Sequence, residues 1–262
     1  MYALDTRQVP AFEIHEYQPK RSDFCVGIPI LNEGERIHNQ LNRMTFLEDT
    51  VDIIIADGNS TDGSTEQTLL QAQPVRTLLV KTGSGKLSAQ LRMLFSYALD
   101  QGYLGIITVD GNNKDGVEAI PQFIEALQQG YDYIQGSRYL PEGTEINTPF
   151  SRKLAVKWLH APLISLAAGF RYTDTTNGFR AFSRRFLLDK QVQPFRDVFD
   201  AYNLHFYLSI RASNLGFKIK ELPVLRAYPA SGPIPSKIGG FKGNWALLKQ
   251  LLWAVIGAYN PK

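Results

Sequence analysis

The chain has 262 residues, 44% of them hydrophobic and 20% charged, which is the make-up of a folded globular protein and excludes disorder. Its one cysteine, Cys25, excludes an intrachain disulfide, points to a reducing compartment such as the cytoplasm, and reads as a core residue rather than a nucleophile. The net charge of +3 hides an asymmetry: residues 1–145 hold 11 Lys+Arg against 20 Asp+Glu, whereas residues 146–262 hold 17 against 5, which suits an anionic partner or a solvated basic face.

Residues 1–21 read as an arm or an edge element. They lack the apolar core of a signal peptide, and no stretch reaches the roughly 18–20 apolar residues of a membrane span. Phe24–Ile30 reads as a buried strand, and Glu33–Phe46 carries Ile37, Leu41 and Met44 at helical spacing. Val51–Ala56 is a second strand, ending in the turn Asp57-Gly58-Asn59-Ser60-Thr61-Asp62-Gly63. Ser64-Thr65-Glu66-Gln67 matches a capping box, so a helix is expected to start there. Thr77–Val80 is a third strand and Ser88–Leu99 a helix. Leu104–Val109 is a fourth strand, ending in Asp110-Gly111-Asn112-Asn113-Lys114-Asp115, with a helix expected over 116–129 and capped by Asp115.

Beyond it, Tyr133–Gln135 and Phe179–Phe182 read as short strands, Ser151–Ala168 and Tyr202–Ala212 as helices, and Lys218–Leu222 as a last strand. Residues 226–244 hold four glycines and three prolines and read as a mobile loop. Trp245–Tyr259 is a final helix, apolar nearly all round. Alternating strands and helices imply a mostly parallel sheet covered on both faces, with ligands beyond the strands' carboxyl ends.

Asp57 and Asp110 fall at that edge. Asp110 and Asn112 offer hard oxygen donors for a divalent cation, and Gly111 leaves room for a diphosphate. Asp-Gly-Asn is also a common turn. Asp57 can accept a ring N–H of a nucleobase, or simply build an Asx turn, as Asp62 can. Gly83-Ser84-Gly85-Lys86 is not a P-loop: position 80 is Val and position 87 Leu. No G-x-G-x-x-G follows the first strand. The four histidines, at 15, 38, 160 and 205, lack metal-ligand spacing.

Taken in order, six blocks resemble the family 2 glycosyltransferases. They are Pro29–Glu33, Ile55–Ser64, Val109–Asn112, Gly136–Tyr139, Asp174–Arg180 and Gly216–Pro223. The last three are most similar to the branch of polyprenyl-phosphate (dolichyl-phosphate) sugar synthases. The resemblance implies a GT-A fold: a Rossmann-like, three-layer α/β/α sandwich with a mostly parallel central sheet. It implies an N-terminal arm over 1–21, a catalytic domain over 22–225 with a donor half 22–135 and an acceptor half 136–225, and a basic loop and C-terminal helix over 226–262. It further implies inverting transfer from a nucleotide-sugar and places Mg²⁺ or Mn²⁺ on Asp110 and Asn112. Asn112 departs from the family's usual second Asp, which weakens the metal site unless Asp115 helps.

By the same resemblance Pro29, Asn32, Glu33, Asp57, Lys86, Asp110 and Gly111 bind the nucleotide. Two acceptors fit: a polyprenyl phosphate first, a saccharide hydroxyl second. A hydroxyl needs a general base, for which Asp174 and then Asp200 are the candidates; a phosphate is already ionised near neutrality and needs cationic anchors instead. Arg138, placed among the catalytic residues, with Arg180, Arg226 and Lys237, are the anchors expected. The final helix suits burial against the core or a second copy, or contact with a membrane's inner face. No nucleic-acid partner is expected. The rival readings are a sugar-phosphate nucleotidylyltransferase, which lacks its glycine-rich N-terminal loop here, and a non-catalytic nucleotide-sugar binder.

Overall fold

A computed structural model describes residues 7–230 and 240–261. Eight strands form one sheet: β1 (Phe12–Glu16), β2 (Phe24–Ile30), β3 (Asp52–Asp57), β4 (Val75–Lys81), β5 (Gly105–Thr108), β6 (Tyr133–Ser137), β8 (Arg180–Ser183) and β9 (Ile219–Pro223), in the order β1-β4-β3-β2-β5-β8-β6-β9. Strands β4, β3, β2 and β5 are mutually parallel, as are β6 and β9. The edge strand β1 and the inserted β8 run antiparallel to their neighbours. The expected arm thus carries an edge strand, and the mostly parallel three-layer sandwich is observed.

Both faces of the sheet are covered, which is why its central strands are apolar throughout rather than alternating. Cys25, Ile54 and Ala56 pack with α3 (Leu87–Asp100), α6 (Ala161–Ala168) and α8 (Asn203–Asn214); Val26, Ile28, Ile53 and Ile55 pack on the other face with α1 (Glu35–Arg43) and α4 (Ile120–Gln128). Cys25 is fully buried, as the apolar run implies.

Four local expectations need correction. The capping box at Ser64 does not start a helix: α2 is only Gln67–Gln71. Ser64 Oγ is instead engaged across the turn, accepting from the amides of Glu33 and Gly34 and donating to Asp62. Asp115 caps nothing, because its carboxylate meets Arg226; a 3₁₀ turn, Val117–Ala119, precedes α4. The helix over 151–168 is three pieces, α5 (Phe150–Ala155), a π turn (Val156–His160) and α6, and Pro162 has no amide with which to continue a regular ladder. Finally, residues 226 and 227 are not loop. With Leu225 they form β10 (Leu225–Ala227), paired in parallel with β7 (Thr144–Ile146). A short helix, α7 (Arg184–Leu187), follows β8, and α9 spans Gly240–Val255. Among the described residues no helix is long and apolar enough to cross a membrane.

Candidate active site

The parallel strands open at their carboxyl ends on a cavity of about 1240 Å³. Pro29 and Ile30 at the end of β2 with Leu31 after it, Gly58 beyond β3, and Asp110, Gly111 and Asn112 beyond β5 line it at the sheet. The far side is built by α5, the π turn, the start of α8 and residues 243–250 of α9.

The two turns at the near end hold each other. Asn32, in left-handed conformation, accepts from the Thr61 amide through Oδ1 at 2.8 Å, and its own amide donates to Ser60 Oγ at 2.8 Å. Asp57 is 1% exposed and folded into its own turn. Its carboxylate accepts from the amides of Asn59 and Ser60 at 3.0 and 2.8 Å and from Ser60 Oγ at 2.5 Å. Burial raises its pKa, and the Ser60 and Asn59 bonds oppose the rise. Gly58, not Asp57, lines the cavity. Of the two readings of Asp57, the Asx turn is the one its hydrogen bonds form. Asn32 likewise stays off the cavity wall, while Pro29, Glu33 and Lys86 line it. Glu33 pairs with Arg36 at 2.9 Å.

At the centre, Asp110 carries the strongest field. Its Oδ2 accepts from Arg226 Nη2 at 2.8 Å, and Arg226 Nη1 reaches Asp115 Oδ1 at 2.5 Å and Asn177 Oδ1 at 3.1 Å. Burial alone would raise the Asp110 carboxyl, but Arg226 and then Lys114 outweigh it and hold it at about 2. Lys114, only 4% exposed, lines the same cavity; burial and the neighbouring Arg226 push its ammonium down to about 8. Backbone bonds fix this cluster: Ala227 N donates to Lys114 O at 2.8 Å and Gly116 N to Leu225 O at 2.9 Å. Asp115 is fully buried, does not line the cavity and pairs with Arg226.

The metal expectation fits in part. Asn112 Oδ1 is buried without a hydrogen-bond partner on a wall of the cavity, as a waiting oxygen ligand would be. Against that, Arg226 already neutralises Asp110, and the described residues contain no group of three or more His, Cys, Asp or Glu suited to an ion.

Farther along, Arg138 lines the cavity while 97% of it is withdrawn from solvent, being 3% exposed. Its Nε and Nη2 grip Asp174 at 2.7 and 3.3 Å, and Nη2 also donates to Thr176 Oγ1 at 3.0 Å. Nη1 has no protein partner. Asp174 is fully buried; burial would raise its pKa, but the Arg138 guanidinium beside it holds it below the usual carboxylate range. It does not line the cavity. Asp200, the second candidate base, is exposed beside Gly85 and does not line it either. Asp174 holds Arg138, and Asp200 presents its carbonyl to the amides of Lys86 and Ala89.

Arg180 touches the cavity, yet it spends its donors on the carbonyls of Asn177, Thr175 and His205 and on Ser209 Oγ. It shapes the 174–178 loop rather than holding an anion. Lys237 lies outside the described residues. Sequence reading missed His205 and Lys114. His205 lines the cavity with Nε2 unpartnered, and burial followed by Arg180 drives its pKa well below the ordinary value, so it stays neutral and weakly basic. Only the closeness of Lys114 to Asp110 in one turn hinted at its place.

The profile of Glycosyl transferase family 2 matches residues 25–190. The polyprenol monophosphomannose synthase of Mycolicibacterium smegmatis is 29% identical over 235 residues, covering 88% of this chain and 87% of that one. The undecaprenyl-phosphate mannosyltransferase of Micrococcus luteus is 27% identical, covering 89% and 94%. Among solved structures, glucosyl-3-phosphoglycerate synthase from Mycobacterium tuberculosis, in complex with Mn²⁺, uridine diphosphate and phosphoglyceric acid, superposes with a TM-score of 0.64 at 15% identity, covering 89% of this chain and 77% of that one.

Proposed function

The chain belongs to glycosyl transferase family 2 and has the GT-A fold, and from that membership we propose that it moves a sugar, with inversion, from a nucleotide-sugar to a polyprenyl phosphate. The observation that carries the acceptor is Arg138: a buried guanidinium on a residue that lines the cavity, held by Asp174, with Nη1 lacking a hydrogen-bond partner in the protein. Arginine grips phosphate oxygens well, and an ionised phosphate attacks without a general base. That suits a cavity whose carboxylates, Glu33 and Asp110, are both already paired with arginines. The names of the relatives from M. smegmatis and M. luteus support the same choice.

In the step itself, a phosphate oxygen forms a bond to the anomeric carbon as that carbon's bond to the donor diphosphate breaks. The nucleoside diphosphate leaves with the electron pair, and its growing charge falls on the Asp110–Asn112 side of the cavity. A divalent cation, where bound, would lie on Asp110 and Asn112 and supply charge to that leaving group. Arg138 holds the nucleophile. The neutral His205, which lines the same cavity, adds no competing charge.

A lipid acceptor also needs an approach from a membrane surface. Phe150, Leu154, Trp158, Pro162 and Leu166 recur every four residues along α5, the π turn and α6, and all are exposed. Trp158 is 78% and Leu166 81% exposed. Trp245, at 60%, stands on α9 among the residues lining the cavity, and Lys157, over the Tyr139 ring, and Lys249, over the Trp253 ring, offer cations for anionic headgroups. Replacing Trp158 by Ala removes a side chain worth about 1.5–3 kcal/mol when buried in lipid, so vesicle binding should fall at least about tenfold. Sedimentation with anionic vesicles reads this; equal binding by the variant would remove the stripe from the membrane.

The function itself is tested by offering UDP- and GDP-sugars with undecaprenyl phosphate or with undecaprenol. Transfer to the phosphate alone is expected. Equal use of the alcohol, or transfer only to saccharides, would defeat the reading.

A further inference from the structure

Asp57 spends its carboxylate inside its own turn, and helix α3 brings a different acceptor to the same edge of the sheet. Gln90, in the first turn of α3, lines the cavity and donates through Nε2 to two strand-end carbonyls, Ile30 O at 2.7 Å and Ala56 O at 3.1 Å. These bonds fix the amide: turned over, its oxygen would face two carbonyl oxygens. They also use both N–H groups, so whatever Gln90 has left to offer is Oε1. Among the described residues no donor meets Oε1, and Oε1 is not one of the enclosed side-chain atoms left without a partner. It therefore keeps an edge open, which is how Gln90 can line a cavity while only 5% exposed. Gly58 lies beside the amide with no side chain to cover it; a Cβ there would come within 3.0 Å of Nε2.

The place suits a nucleobase. The strands run in the order β4-β3-β2-β5, and Asp110 follows β5. Gln90 is tied to the ends of β2 and β3, one to two strand spacings away, or about 5–10 Å along the edge. A nucleoside extends in that direction from a diphosphate lying by Asp110. An oxygen fixed in this way accepts a ring N–H, such as N3–H of uracil or N1–H of guanine. Cytosine and adenine turn a lone pair toward it instead and are repelled. We propose that Gln90 reads the donor's base by accepting its ring N–H through Oε1, so that the chain takes uridine or guanosine diphosphate sugars and rejects those of cytidine and adenosine. The inference rests on the nucleotide-sugar reading above and names the nucleotide class within it.

Calorimetric titration of the intact chain, with Mn²⁺ present throughout, compares UDP with CDP and GDP with 2-aminoadenosine diphosphate. The members of each pair have the same shape and differ in the ring N–H and the group beside it. In at least one pair the N–H form should bind at least about tenfold tighter. Gln90→Met keeps the bulk and removes the oxygen, and it should shrink that gap to within about threefold. A residue that only ties α3 to the strand ends would weaken both members alike and leave the gap unchanged. Equal binding within each pair by the wild type would overturn the inference and leave the donor reading intact, as would a wild-type gap in a folded Gln90→Met. Binding of none of the four would overturn the donor reading and this inference together. Should Gln90→Met fail to fold, Gln90→Lys decides: its ammonium can still meet the two carbonyls but offers no acceptor, so it too should lose the gap.

Discussion

Arg138→Lys is expected to slow sugar transfer to a polyprenyl phosphate by about a hundredfold while leaving nucleotide-sugar binding and slow donor hydrolysis within about threefold. Nε and Nη2 of the guanidinium hold Asp174 and Thr176, and Nη1 has no hydrogen-bond partner in the protein, so it is the nitrogen left to an acceptor phosphate. An ammonium keeps the charge but has no fork. Its single nitrogen meets the fully buried Asp174 or the acceptor phosphate, not both, and Asp174 is the partner that cannot be left alone. Breaking a buried pair outright costs about 3–5 kcal/mol, which is why Arg138→Ala or Arg138→Glu would confuse loss of fold with loss of function. With Lys the stability loss should be small enough for a thermal melt to show a folded protein. The loss should also appear mainly as a weaker dependence of rate on acceptor concentration. Equal losses in donor hydrolysis and in transfer would remove Arg138 from the acceptor end.

The sheet was legible because buried parallel strands must be apolar on both faces and must stop where polar turns begin. FCVGIPI, VDIIIA and LGIITV each end that way, and each end lies on the cavity or beside it. Asp110 was legible for the same reason. Asp57 was less so: an Asp followed by Gly-Asn-Ser can satisfy its carboxylate locally, within three residues, and no pattern in the chain says whether it will. Arg138 and Asp174 were read as separate catalytic groups, though 36 residues apart they make one ion pair. Arg226 is harder still: it reaches Asp110 across 116 residues, through the β7–β10 ribbon that a glycine- and proline-rich stretch concealed. Sequence order shows which groups are present at a strand edge. The pairing among them depends on contacts made by chain segments far apart.

Gly178→Ala should weaken nucleotide-sugar binding by about tenfold or more and slow transfer by about a hundredfold, at little expense in stability. Gly178 lies in the loop between Asp174 and Arg180, and its φ is not in the left-handed region, so an alanine backbone fits without strain. The obstacle is space. An added methyl would lie 2.2 Å from Asp110 Oδ1 and 2.9 Å from its Cγ. Real contacts need more than about 3 Å, so the carboxylate must swing away by roughly 1 Å, against the pull of Arg226 on its other oxygen. Arg226 also holds Asp115 and Asn177, so the displacement spreads through the whole cation cluster. Misplacement on that scale costs about two orders of magnitude in rates that depend on alignment, whereas overpacking at one loop position costs about 1–3 kcal/mol. The variant should therefore melt within several degrees of wild type yet bind UDP or GDP poorly by calorimetry. Wild-type nucleotide affinity in a folded Gly178→Ala would mean that Asp110 and Arg226 do not form the surface on which the diphosphate rests.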